Sequence, residues 1–105
     1  MTPKQIWCIA LVVAVLGGCA TSPPVQEMSD ARQAIAAAKE AGARQLAADE
    51  LGGAESLLQN AEEFLVLGTS NGYWQARKAA IGAKERAFEA LLTSRDAKTP
   101  IPGSP

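Results

Sequence analysis

The sequence has 105 residues, of which 48% are hydrophobic and 20% charged, enough for one small domain and too few for two. Its formal net charge is −1 with no basic block, which argues against a nucleic-acid partner. It contains no histidine, the commonest general base and metal ligand, so the composition predicts neither an enzyme nor a metal or cofactor site.

The first residues show the three parts of a secretory signal: a positive charge at Lys4, an apolar run over residues 6–16, and small residues at Gly17 and Gly18. The apolar run is shorter than the roughly 20 residues that a transmembrane helix needs. We therefore expect residues 1–18 to be a signal peptide, whose removal leaves 87 residues.

A lipid attachment site follows directly, because Leu16-Gly17-Gly18-Cys19 resembles a bacterial lipobox. The resemblance implies cleavage before Cys19, a diacylglycerol on its thiol and an acyl chain on its new amino group. Two or more chains hold a protein stably on a membrane. Because Ala20 rather than Asp comes next, the resemblance also implies the periplasmic face of the outer membrane. The alternative is an ordinary secretory signal cut near Ala20.

The mature chain begins with a tether over residues 19–27, which is small, contains two prolines and has no apolar periodicity. A first helix is expected from Ser29 or Asp30, either of which could cap it, or from an earlier start near Val25. Gly42 is its expected end. Its predicted inward stripe is rich in alanine and consists of Ala31, Ala34, Ile35, Ala38 and Ala41.

A second helix is expected with Asp49 and Glu50 in its first turn, where negative charge is favourable. Either the helix tolerates Gly52-Gly53 in its first turn, or it begins later, near Ala54. The segment 68–72 contains Gly and Asn-Gly and predicts a turn. The predicted inward stripe is richer in leucine and consists of Leu51, Ala54, Leu57, Leu58, Ala61, Phe64 and Leu65.

A third helix is expected from Asn71 or Gly72 to Arg95, and a Pro-rich disordered tail over residues 97–105. Short links between three amphipathic helices predict an all-α domain over residues 28–96. It would be a small antiparallel three-helix bundle or a helical hairpin with an added helix. The third helix's predicted inward side consists of Tyr73, Ala76, Ala80, Ala83 or Lys84, Ala87, Phe88, Leu91 and Leu92.

These spacings resemble the bacterial lipoproteins classed as domain of unknown function 4398. That family has an Ala-Gly-Ala end to its first helix, a Leu/Ala-spaced second helix, and a third that opens with an aromatic before Ala-Arg. The sequence departs from the pattern at Ala48, where the family often has Pro, and at Gly52-Gly53. The matching positions span nearly all of residues 28–92 and are Ala41-Gly42-Ala43, Ala47, Leu51, Ala54, Leu58, Ala61, Tyr73 and Ala76-Arg77.

Two functions are consistent with these residues. The first is a structural or interaction role, in which the lipid-anchored bundle binds another envelope protein or itself. The second is a module that binds peptidoglycan fragments or another small ligand through aromatic faces and nearby cations. The predicted interaction surface consists of Tyr73, Trp74, Arg77 and Lys78, with Arg44 a further cation if the turns bring it close.

Overall fold

Helices account for nearly all of residues 22–98, the part of the chain that the computed structural model describes. They are α1 (Val25–Glu40), α2 (Ala43–Leu46), α3 (Ala48–Val66) and α4 (Ser70–Lys98). No strand occurs among these residues, so the predicted all-α class is confirmed. The predicted signal peptide, the predicted lipobox and residues 99–105 lie outside the described residues.

The first helix begins at Val25, the earlier of the expected starts, so three residues assigned to the tether are helical. Pro24 is buried and precedes the helix, where its restricted φ suits a helix start. Its carbonyl accepts a hydrogen bond from the Met28 amide at 3.0 Å. The helix ends at Glu40 because Gly42 adopts a left-handed φ of +91°, which favours glycine.

The third helix begins at Ala48 and carries Gly52 and Gly53 in its interior, so the later start at Ala54 is excluded. Asp49 and Glu50 lie in its first turn, as expected. Ala48 occupies the first helical position, where proline is well tolerated because its missing amide is not needed. The proline that related sequences often have at the position of Ala48 would therefore fit the same helix start.

The fourth helix begins at Ser70, slightly earlier than expected, because Thr69 caps it. The Thr69 Oγ1 accepts a hydrogen bond from the Gly72 amide at 2.9 Å. The helix continues to Lys98, beyond the expected end at Arg95. At 29 residues it is the longest helix of the described chain, and both core clusters include residues from it.

The three long helices run up, down and up, with α1 and α4 parallel to each other and α3 antiparallel to both. This direction follows from which residues share each end of the core. The cluster at one end contains Met28, Ala61, Ala76 and Ala80. The cluster at the other end contains Ala34, Ile35, Ala38, Ala43, Ala47, Leu51, Ala54, Ala87, Ala90 and Leu91.

Alanine dominates this core, accounting for twelve of the sixteen buried apolar residues in the described chain. Small side chains let helix backbones approach closely, but each one buries little apolar area. Ser94 is the single buried polar side chain of the described chain. Its hydroxyl donates a hydrogen bond to the Ala90 carbonyl of its own helix at 2.8 Å. The helices are therefore held by close contact rather than by large buried side chains.

The inward side predicted for α4 was wrong at two positions. Phe88 is 44% exposed and Leu92 is 58% exposed, whereas Ala90, which the prediction left out, is fully buried. The reason is that α4 packs on two helices at once through a strip of alanines. The strip centres on the Ala83 and Ala90 side of the helix, so Phe88 and Leu92 fall on the opposite side.

Candidate interaction surface

Four large apolar side chains form a line along the exposed side of α4, which we name the α4 apolar row: Trp74, Ile81, Phe88 and Leu92. Their exposed fractions are 54%, 44%, 44% and 58% in that order. Seven residues make almost two helical turns, about 700° of rotation. Trp74, Ile81 and Phe88 therefore lie one above another, and Leu92 continues the line one turn further.

The row has α1 beside it on one edge. Ile81 and Phe88 line a shallow groove of about 280 Å³ whose α1 side carries Glu27 and Asp30. Lys84 also lines this groove, and its Nζ lies 5.9 Å from the centroid of the Phe88 ring. The apolar row is thus continuous with a groove that is lined by both acidic and basic side chains.

The other edge of the row faces solvent and changes charge along its length. On this edge, Lys78 lies near the Trp74 end and Glu89 lies near the Phe88 end, whereas Glu85 also lines the groove on the α1 side. Neither glutamate forms an ion pair among residues 22–98. This edge is therefore positive at one end and negative at the other.

The predicted aromatic pair is divided between inside and outside. Tyr73 is partly buried, whereas Trp74 belongs to the exposed row. The Lys78 Nζ lies 4.6 Å from the centroid of the Trp74 ring, within cation–π range. One face of the only strongly exposed aromatic of the pair is therefore covered by a neighbouring cation.

Arg77 is engaged within the domain. Its Nε donates to the Glu27 Oε1 at 3.3 Å and its Nη2 donates to the Ser22 carbonyl at 3.0 Å. The Arg77 and Glu27 side chains are 26% and 32% exposed. Arg77 thus ties the segment that leads into α1 against α4.

The predicted cations are not gathered into one patch. Arg44 lies on α2, two residues after Gly42, and a Cβ at Gly42 would lie 3.3 Å from the Lys98 Nζ. Arg44 is therefore near the C-terminal end of α4. Arg77 lies 21 residues before Lys98, about 30 Å away along the helix.

Other chemistry-bearing side chains of the described chain are dispersed. Glu62, one of two adjacent glutamates on α3, pairs with Arg32 at 3.4 Å on the surface. Residues 22–98 contain no group of three or more acidic or cysteine residues placed to hold a metal ion. In the same range, no helix is long and apolar enough to cross a membrane. Leu16, Gly17, Gly18 and Cys19 lie outside the described residues.

Residues 26–99 match the family described as Domain of unknown function (DUF4398). The chain belongs to this family. No match is found among curated proteins or among solved structures.

The residues that carry the DUF4398 resemblance serve the fold of this chain. Gly42 supplies the left-handed turn after α1. Ala54, Ala61 and Ala76 are fully buried, and Arg77 bonds to the start of α1. The DUF4398 pattern therefore specifies how the three helices pack, and the α4 apolar row is separate from it.

The sequence placed Trp74 in the predicted interaction surface of this DUF4398 domain, but the row as a whole was missed because Phe88 and Leu92 were assigned to the core. Trp74, Ile81 and Phe88 are spaced by seven, and this spacing was the available signal. The alanines of α4 recur on the opposite side of the helix. Two apolar stripes on one helix, one of small residues and one of large residues, indicate two packing surfaces.

Proposed function

We propose that this chain is a non-enzymatic lipoprotein of the bacterial cell envelope, anchored by lipid on Cys19 to the periplasmic face of the outer membrane, with a structural or protein-interaction role. The observation that carries the interaction role is the α4 apolar row. The sequence motif at Leu16-Gly17-Gly18-Cys19 supports the anchor.

The row is larger than the isolated apolar residues that any surface carries. With about 200 Å² for each large apolar side chain, the exposed fractions leave about 400 Å² of apolar surface in one line. This is about the size of the largest apolar patch on a typical monomeric protein, and such patches are often functional. The row also lies on α4, whose residues enter both core clusters of the described chain, so contacts with α1 and α3 position it.

The anchor would hold this surface near the membrane. Ser22, whose carbonyl Arg77 binds, is three residues after Cys19. Three extended residues span about 10 Å. Because each buried methylene contributes about 0.8 kcal/mol, three acyl chains on Cys19 would make dissociation from the bilayer negligible. A partner would therefore meet the domain close to the lipid headgroups.

The anchor is tested by the intact mass of protein extracted from bacterial membranes, compared with a Cys19→Ser variant. We expect a mass for residues 19–105 plus three acyl chains, and its loss in the variant. An unmodified chain that starts at Ala20 or later would contradict the anchor.

The interaction role is tested by a photoreactive amino acid placed at Leu92 in the row. Glu63 is the matched control position, since it is exposed on α3 away from the row. We expect covalent products in membranes from position 92 and none from position 63. Equal products from the two positions, or none from either, would contradict a specific interaction through the row.

Binding of peptidoglycan fragments or another small ligand is the second proposal, and the geometry supports it less well. Arg77 is already bonded to Glu27 and Ser22, and Lys78 covers the Trp74 ring. What favours it is the exposure of Trp74. Retention on purified peptidoglycan that is lost in Trp74→Ala would support it, and no retention of the wild type would end it.

A further inference from the structure

We infer that the partner of the α4 apolar row is the same row on a second copy of this chain, packed antiparallel about a two-fold axis near residue 83. This inference rests on the proposed interaction role of the row and names its occupant. Three features carry it: the area of the row, the charges along its open edge, and the position of the anchored end.

The area fits a two-fold contact between two copies. A standard interface buries about 800 Å² on each partner, somewhat more than half of it apolar. The row supplies about 400 Å² of apolar side chain per copy. The groove beside it and the charged edge can supply the polar remainder. In a two-fold contact the same patch serves both copies, so no second apolar surface is required.

The charges select the antiparallel direction. In a parallel pair the open edge of one copy would face the α1-side edge of the other, so Lys78 and Glu89 would not meet. Antiparallel pairing reverses one helix and keeps the same edge together, so Lys78 of each copy meets Glu89 of the other. Because two such pairs form, the gain occurs twice.

The two ends of the apolar row agree with the same axis position, and next to the axis Ile81 lies opposite Glu85 of the second copy. Trp74 and Leu92 are centred on residue 83, and Lys78 and Glu89 are centred between residues 83 and 84. The axis therefore places Trp74 against Leu92 of the second copy. Phe88 then lies opposite Lys78 of the second copy, a second site for a cation–π contact.

Antiparallel pairing is compatible with both copies being anchored in one membrane. Arg77 marks the start of α1, because it bonds to Ser22 and Glu27. It is six residues from the axis, so the two chain starts lie about 18 Å apart along the helices. The pair would lie with its helices along the membrane plane and each tether would need only about 10 Å to reach it.

The test uses the full-length chain in bacterial membranes, with two tagged versions expressed together, one Lys78→Cys and the other Glu89→Cys. Both positions are exposed. A short bis-maleimide is expected to give a product of two copies that carries both tags. Each variant alone is expected to give none, because its own cysteines would lie about 16 Å apart. The wild type alone, and Glu63→Cys expressed together with Lys78→Cys, serve as controls. Neither control is expected to give a crosslinked product.

Each other outcome overturns a defined part of the inference. A product from Lys78→Cys alone would refute the antiparallel axis. A product with a protein of different mass would refute the second copy while leaving the proposed interaction role intact. The absence of any product would refute the dimer, and photoreactive products from position 92 would still report separately on the interaction role.

Two further variants test the physical cause of the pairing. Phe88→Gln keeps a good helix former at an exposed position and is expected to abolish the two-tag product while circular dichroism stays unchanged. Lys78→Glu is expected to weaken the dimer of the detergent-extracted chain about tenfold. Lys78→Glu combined with Glu89→Lys in one chain is expected to restore it. A double variant as weak as the single one would refute the charge pairing.

Discussion

Two glycines of this bundle are expected to respond in opposite directions to the same added methyl group. Gly72 is buried in the first turn of α4, and a Cβ there would lie 2.7 Å from the Phe64 carbonyl oxygen of α3. Real Cβ contacts essentially never come this close, and a backbone carbonyl cannot swing away as a flexible side chain can. Gly72→Ala must therefore push α3 and α4 apart at the turn that joins them.

Gly52 is the matched case, because it is also helical but has no atom within 4 Å of its Cβ position. Gly52→Ala is expected to stabilise the protein by about 0.5–1 kcal/mol, since alanine loses less backbone entropy in a helix. Gly72→Ala gains the same propensity but is expected to lose about 1–3 kcal/mol to overpacking. The net result is a destabilisation of up to about 2.5 kcal/mol.

Thermal and urea unfolding followed by far-UV circular dichroism will measure both changes on the purified protein. For a domain of this size, 1 kcal/mol corresponds to a shift of about 4–8 °C in Tm. We expect Gly52→Ala to melt higher than the wild type and Gly72→Ala to melt lower. A Tm for Gly72→Ala equal to or above that of Gly52→Ala would refute the close approach of α3 and α4 at this turn.

Two other side chains offer simple tests. Arg77→Ala is expected to lose about 1 kcal/mol and to speed amide hydrogen exchange in the first turn of α1, because the bonds to Glu27 and Ser22 disappear. Arg77→Lys keeps the charge but cannot make both hydrogen bonds in the same geometry, so it is also expected to speed exchange. Unchanged hydrogen exchange in both variants would show that Arg77 does not hold the start of α1. Ser94→Ala is expected to change unfolding free energy by less than about 0.5 kcal/mol, since its hydroxyl bonds only within its own helix. A loss above about 2 kcal/mol in urea titration would show that the hydroxyl has a role between helices.

The helices themselves could be predicted because their signals are local. Alanine and leucine at helical spacing, and the turn residues Gly42 and Gly68, set three long helices with short links between them. The starts were less certain: α1 begins at Val25 and not at the polar residues Ser29 or Asp30. The local rule favours a polar cap, whereas here α1 is held by tertiary contacts at Arg77 that no local pattern contains.

The surface was harder to predict because hydrophobicity alone does not say which side of a helix faces inward. A helix with one stripe of large apolar residues and another of alanines has two sides that could face the core. The larger residues would bury more area per contact. The alanine side nevertheless faces the core, because α1 and α3 can both pack closely against it. Similarly, Arg77 was predicted as part of a ligand surface, and its bond to a backbone carbonyl could be known only from the folded chain.

The position of α4 in the chain also has a consequence for the order of folding. Both core clusters need residues of α4, and α4 follows α1 and α3 in the sequence. Chains are synthesised from the amino end, so neither cluster can form completely until α4 has been made. What α1 exposes in the meantime is mostly alanine, which attracts other unfolded chains weakly. The small side chains of α1 thus limit the stability of the finished bundle and also limit the apolar surface that α1 exposes before α4 is made.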